Sequence, residues 1–315
     1  MMKKELLVIE NLTVRYGQVE ILKNINLIVH SQEILCIVGE SGCGKSTLLS
    51  SISGLLDSGA TIASGEIYFD ERELTKVSQE ELRQLRGRRM GVVFQNPGTS
   101  LNPIRKIGSQ FLEAIRSHYP ISTNEGNERI LKMLEKLSLR DGKRILQSYP
   151  FELSGGMNQR IAIALAMIME PDLLLADEPT SALDVTVQAQ VIKEMLKLRD
   201  TFSTSIILVT HSMGIVAQMA DQVGVMYSGE IVEYGSKANV LRSPLHPYTK
   251  ALINAVPSLV GSIPQGIPGS PPSFGVERRG CSFAERCTLR ESKCFSQKPK
   301  LREIRKGHWS ACWRY

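Results

Sequence analysis

Apolar and polar residues alternate along Leu6–Val14 and again along Ile25–His30, the period-two pattern of strands in an antiparallel sheet. Glu33–Val38 (EILCIV) is instead a nearly unbroken apolar run that ends in glycines. Gly91–Gln95, Asp172–Asp177 and Ser205–Thr210 are further short aliphatic runs. The lack of alternation in the last two predicts strands buried on both faces of a parallel sheet. From Gln79 to Pro150 charges are frequent and β-branched runs rare. That stretch predicts a helical insertion between the strand ending at Gln95 and the one starting at Asp172. Val223–Tyr227 and Ile231–Tyr234 flank Ser228-Gly229-Glu230, a hairpin turn signal. Val256–Gly275 holds five of the fourteen prolines and four glycines, too dense for a regular element. The pattern as a whole predicts an α/β chain, with residues 256–275 as a linker to a small C-terminal module at 276–315.

Composition narrows the class. With 315 residues, 42% of them hydrophobic and 22% charged, the chain can build a sizeable core and is not wholly disordered. Its longest apolar run, the nine residues Ile161–Met169, is far short of the roughly 20 a membrane span needs. Met1–Glu10 has two lysines but no apolar core or cleavage site of a signal peptide, so a cytoplasmic protein is expected. The net charge of +6 is uneven: residues 276–315 carry 11 Lys/Arg and 4 Asp/Glu, a local +7, leaving −1 for the rest. A basic tail can touch nucleic acid or anionic lipid. Here the cations are interleaved with cysteines, which favours a solvated module, and no nucleic-acid partner is expected.

Three motifs carry chemistry. Gly39-Glu-Ser41-Gly42-Cys43-Gly44-Lys45-Ser46-Thr47 follows a strand and opens a helix, the context in which a glycine-rich loop cradles phosphates. Lys45 is expected to reach the β- and γ-phosphates of ATP, and the Ser46 hydroxyl to bind Mg²⁺. The aliphatic run Leu173–Ala176 delivers Asp177 and Glu178 at its C-terminal end, the edge where α/β sheets bind ligands. Asp177 is expected to hold Mg²⁺ through water, and Glu178 to orient and deprotonate the attacking water. Leu153-Ser154-Gly155-Gly156-Met157 precedes an amphipathic helix at Asn158–Met169. Its hydroxyl and glycines form a second anion site at a helix N-terminus.

With this third motif the chain resembles the ATP-binding cassette (ABC) ATPases, nearly continuously over residues 5–250. Met157 replaces the glutamine usual in that family's Leu-Ser-Gly-Gly-Gln signature. The resemblance implies a P-loop cassette: a mixed core sheet, an antiparallel β-subdomain and a helical subdomain at about 79–165, all within residues 1–255. It implies that Ser154–Gly156 binds the γ-phosphate of ATP held by a second subunit. It further implies that Tyr16 stacks on adenine, that Gln95 senses Mg²⁺ and water and touches membrane subunits, that Asp184 ends a loop crossing the dimer interface, and that His211 contacts the γ-phosphate. The catalytic set is then Lys45, Gln95, Glu178 and His211.

Three segments resemble the peptide and nickel importer branch: Gln95–Pro103, Pro244-Leu-His-Pro-Tyr-Thr249, and Cys281-x5-Cys287-x6-Cys294-x17-Cys312. Four thiolates suit zinc or an iron–sulfur cluster. The spacing lacks the paired knuckles of zinc sites, and the resemblance implies a [4Fe–4S] cluster in some relatives. The cluster ranks first, no metal second and zinc third. Cys36 and Cys43 are read as packing residues.

The function implied is hydrolysis of ATP to drive uptake of di- and oligopeptides, with nickel or a metal chelate as the alternative substrate. The partners implied are a second ABC ATPase subunit (a different chain first, an identical one second), two transmembrane permease subunits and an extracellular binding protein. The chain would sit peripherally on the cytoplasmic face of the plasma membrane. A soluble ABC ATPase acting on nucleic acid is the competing class. The absence of a long heptad run, and the presence of one P-loop and one signature, count against it.

Overall fold

The computed structural model describes residues 4–181, 183–256, 266–276 and 278–315. Residues 257–265 of the expected linker therefore lie outside the described residues. The chain divides into two compact units. One comprises Lys4–Val29, Ile34–Thr75 and Val209–Tyr315; the other comprises His30–Glu33 and Lys76–Leu208.

The first unit holds a four-stranded antiparallel sheet, ordered Val19–His30, Glu5–Tyr16, Ala60–Phe69 and Arg72–Glu73. The alternation in Leu6–Val14 does what it predicts: Leu7, Ile9, Leu12 and Val14 are buried. The phase changes between Ile9 and Leu12 because the pairing with Ala60–Phe69 shifts register between Glu10 and Thr13. The same unit holds a mixed sheet ordered Arg302–Arg305, His308–Ser310, Glu230–Ser236, Gln222–Tyr227 and Ile34–Val38. Ile34–Val38 runs parallel to Gln222–Tyr227 and is buried throughout. The hairpin at 228–229 has positive φ at both central residues, Ser228 (48°) and Gly229 (81°), which matches strand twist. Gly229 is obligatory, since a Cβ there would lie 2.0 Å from the Ile21 carbonyl oxygen.

The second unit carries the parallel pair Met90–Val93 and Leu173–Asp177, with Ser205–Thr210 next in order. The division between units falls within that last strand. Apart from the strand Met90–Val93, the charged region between Gln79 and Pro150 is helical, as its pattern predicts: Gln79–Leu85, Pro97–Ser100, Ile107–Arg116, Thr123–Lys136 and Gly142–Gln147, followed by Gly155–Met167. Ser78 and Glu81 form a reciprocal capping box, and Ser122 caps Thr123–Lys136. No helix among the described residues is long and apolar enough to cross a membrane.

The strands at 302–310 are not predicted by the hydrophobic pattern. They join the first unit through His308–Ser310, which pairs antiparallel with Glu230–Ser236. Beneath that pairing lies Glu233, fully buried. Its carboxylate accepts from Leu245 N at 2.8 Å, His246 N at 2.7 Å and His308 Nε2 at 2.8 Å.

His246 opens the helix Pro247–Asn254, its Nδ1 accepting from Tyr248 N at 3.1 Å. Burial pushes its pKa down to about 3, with nearby Lys250 adding to the shift. The unfolded chain therefore takes up the proton first as pH falls below about 6.5, and stability drains away from there toward pH 3. On the order of 1 kcal/mol should be lost by pH 5.5 from this residue alone. H246N keeps a capping acceptor without a titrating ring. Urea unfolding between pH 7 and 5.5 should show a flatter stability profile for H246N than for the wild type; parallel profiles would refute this assignment.

Candidate functional site

In the first unit the strand Ile34–Val38 runs into the loop Gly39–Gly44 and the helix Lys45–Ser53. Gly42 and Gly44 have positive φ (77° and 106°), which turns successive backbone N–H groups toward the loop's interior. Lys45 is 5% exposed. Its ammonium donates to the Gly39 and Glu40 carbonyls at 2.9 and 3.0 Å. A buried cation held by neutral carbonyls is suited to an anionic ligand. Ser41, Gly42 and Ser46 are exposed; Thr47 is half-buried. Cys43 is buried, and burial pushes its thiol pKa up, as befits packing rather than reactivity. Its carbonyl accepts from Gly229 N at 2.9 Å, so the hairpin turn braces the loop.

Two further residues assigned to nucleotide lie in this unit. Tyr16 ends its strand with the hydroxyl donating to Asp57 Oδ2 at 3.1 Å. His211 follows Ser205–Thr210 directly and is exposed.

The second unit carries the remaining residues. Asp177 ends Leu173–Asp177, and Glu178 follows at 9% exposure. Its φ of 42° lies in the left-handed region. A non-glycine residue held there is strained, and such strain gathers at functional positions. Gln95 Nε2 approaches Glu178 Oε2 at 3.4 Å, so the structure brings together two residues 83 apart in sequence. Ser154 caps the helix Gly155–Met167, its hydroxyl accepting from Met157 N at 3.3 Å. A Cβ at Gly155 would meet nothing within 4 Å, whereas one at Gly156 would lie 2.9 Å from Val187 Cγ1. Asp184 caps Val185–Phe202, accepting from Thr186 N and Val187 N at 3.0 Å each. Its carboxylate thus has a structural task beside the one the resemblance implies.

Sequence reasoning missed Glu40 within the loop and two residues that touch it, Tyr248 and Arg286. Glu40 N donates to Tyr248 Oη at 2.9 Å. The Glu40 carboxylate accepts from Arg286 Nη1 and Nη2 at 2.6 and 2.9 Å. Tyr248 lies within a motif that could have drawn attention to it; Glu40 and Arg286 are 246 residues apart, with no local signal linking them.

Comparison with known proteins gives the family. Residues 22–181 match the family described as ABC transporter, and residues 232–294 match "Oligopeptide/dipeptide transporter, C-terminal region". A probable peptide ABC transporter ATP-binding protein of Sinorhizobium fredii is 44% identical over 307 residues, covering 95% of this chain and 91% of the relative. The chain belongs to the ATP-binding subunits of the oligopeptide and dipeptide ABC importer family. The dipeptide transport ATP-binding protein of Bacillus subtilis is 39% identical, covering 98% of this chain and 95% of its own length. A solved dimeric ATP-binding cassette in a post-hydrolysis state, bound to ADP and phosphate, aligns with TM-score 0.66 and 29% identity, covering 73% of this chain and 98% of that one. As an ABC ATPase the chain is an enzyme that uses ATP and Mg²⁺.

The four C-terminal cysteines form no disulfide. Among the described residues, no three or more His, Cys, Asp or Glu side chains are grouped to hold a metal ion. The thiols nevertheless feel one another. Burial, followed by the fields of Cys294, Cys312 and Cys287, pushes Cys281 up to about 11. Burial and neighbouring thiols also raise Cys287 and Cys312. At this cluster the Glu291 N–H donates to Cys294 Sγ at 3.5 Å.

Proposed function

We propose that this chain is the ATP-hydrolysing subunit that energises uptake of di- and oligopeptides. The observation that carries this is the match of residues 232–294 to the C-terminal region of oligopeptide/dipeptide transporters, beyond the ATP-binding core shared by ABC proteins generally. Nickel or a metal chelate is the second substrate class. The chain works at the cytoplasmic face of the plasma membrane, with two permease subunits, an extracellular binding protein and a second ATPase subunit, the latter more readily a different chain than a second copy.

The residues divide the work. The 39–47 loop and Lys45 hold the β- and γ-phosphates, and Tyr16 holds the adenine. Ser46, Asp177 and Gln95 would hold Mg²⁺, whose charge offsets that of the phosphates when bound. Glu178 takes a proton from the attacking water, and His211 orients the γ-phosphate. Ser154, Gly155 and Gly156 receive the γ-phosphate of the partner's ATP; the open space beside Gly155 supports this. ATP then acts as the ligand that favours the closed pair of subunits, and hydrolysis reopens it.

Residues 276–315 form the cysteine-rich extension, with Cys281, Cys287, Cys294 and Cys312 as ligands of a [4Fe–4S] cluster. Four thiolate donors are the set such a cluster takes, and the Glu291 N–H bond to Cys294 Sγ at 3.5 Å is the kind of outer hydrogen bond that tunes a metal-bound sulfur. When bound, the cluster would tie together a segment with little apolar core of its own.

One preparation tests both readings. The complex should be purified anaerobically through this subunit. Hydrophobic permease subunits, peptide-stimulated ATP hydrolysis, and iron with absorbance near 400 nm are expected. Ribosomes or DNA in their place would overturn the transport reading, and iron-free protein with four titratable thiols would overturn the cluster.

A further inference from the structure

The phosphate loop contains one acidic residue, Glu40. A carboxylate beside a triphosphate repels it, so its placement bears on affinity. Both Glu40 oxygens are engaged by the guanidinium fork of Arg286, a bidentate pair at 2.6 and 2.9 Å. Arg286 lies in the turn Ala284–Arg286, between Cys281 and Cys287. Its side chain is 5% exposed.

Every N–H of this guanidinium has a use. Nε donates to the Pro268 carbonyl at 2.9 Å, Nη1 also to Tyr227 Oη at 3.2 Å, and Nη2 also to the Ile267 carbonyl at 3.4 Å. Arg286 also lies 5.8 and 5.9 Å from the ring centroids of Tyr227 and Phe283. Glu40 is equally committed. Its N–H meets Tyr248, and its carbonyl holds the Lys45 ammonium at 3.0 Å. One residue thus joins the cation meant for phosphate to an arginine far along the chain.

We propose that Arg286 is a positioning residue for the nucleotide site. By neutralising and fixing Glu40, it keeps the 39–47 loop receptive to the triphosphate. The C-terminal extension is then a working part of ATP binding. This rests on the reading that the loop binds ATP.

The test measures ATP affinity of the full-length protein at low and high salt. R286Q should raise the Kd about tenfold at low salt, with the defect shrinking as salt screens the exposed carboxylate. KM should rise more than kcat falls. The double variant E40Q/R286Q should recover most of the affinity, because no carboxylate remains. A purely structural role for Arg286 predicts no recovery, since its bonds to Pro268 and Tyr227 are lost in both variants. R286Q binding ATP like the wild type, or a double variant as weak as R286Q, would overturn the proposal. Where R286Q does not fold, R286K decides. A Kd about threefold above wild type at low salt supports the proposal, because the charge stays and the fork is lost; a wild-type Kd overturns it. Failure of the wild type to bind ATP would instead strike at the loop assignment itself.

Discussion

Replacing Glu178 by glutamine is expected to cut ATP turnover by roughly 10²–10⁴-fold, the range of a lost general base, while leaving ATP binding intact. Glutamine keeps the shape and the approach of Gln95 at 3.4 Å but cannot accept the proton of the attacking water. The residue is 9% exposed and its backbone is held at φ 42°, so the side chain has little freedom to be replaced by a neighbour. In the proposed cycle hydrolysis reopens the paired subunits, so unhydrolysed ATP should hold them together. Single-turnover kinetics and size-exclusion chromatography with ATP would show both effects. Turnover within about threefold of wild type would remove Glu178 from the role of base.

Glu233→Ala is expected to cost about 3–5 kcal/mol of folding stability, the usual penalty for breaking a buried charged network from one side. The carboxylate is fully buried and serves three donors. Its loss leaves the N–H groups of Leu245 and His246 and the His308 ring without that acceptor. Two segments distant in sequence come loose together: the start of the helix bearing Tyr248, and the strand His308–Ser310. The midpoint of urea unfolding should fall with little change in slope. A loss below about 1 kcal/mol would mean that water or a side-chain shift replaces the carboxylate.

Residues whose chemistry is local in sequence could be read without a structure. The 39–47 loop, Asp177-Glu178 and Ser154–Gly156 each lie within a few residues of the strand end or helix start that presents them. The parallel strands were equally legible, since continuous aliphatic runs have few alternatives. Ala60–Phe69 was not, because Thr61, Ser64, Gly65 and Glu66 interrupt its alternation where its partner strand is irregular. The strands at 302–310 are too short and too charged to show a period. Their place depends on pairing with Glu230–Ser236, some 70 residues earlier by the numbering. Glu40 with Arg286, and Glu233 with His308, were invisible for the same reason. A salt bridge leaves no mark in sequence when its partners meet only through the fold.

The last strand of the first unit's mixed sheet has a further consequence. Arg302–Arg305 forms its rim, with Arg302, Glu303 and Arg305 exposed. Without the terminal strand pair the rim would be Glu230–Ser236, whose Ile231 and Val232 are apolar and whose backbone groups could pair with another copy. The chain instead finishes the sheet with four residues, two of them arginines, which repel the same rim on a neighbour. In the folded protein this strand pair thereby covers a sheet edge that would otherwise be open to pairing with another chain.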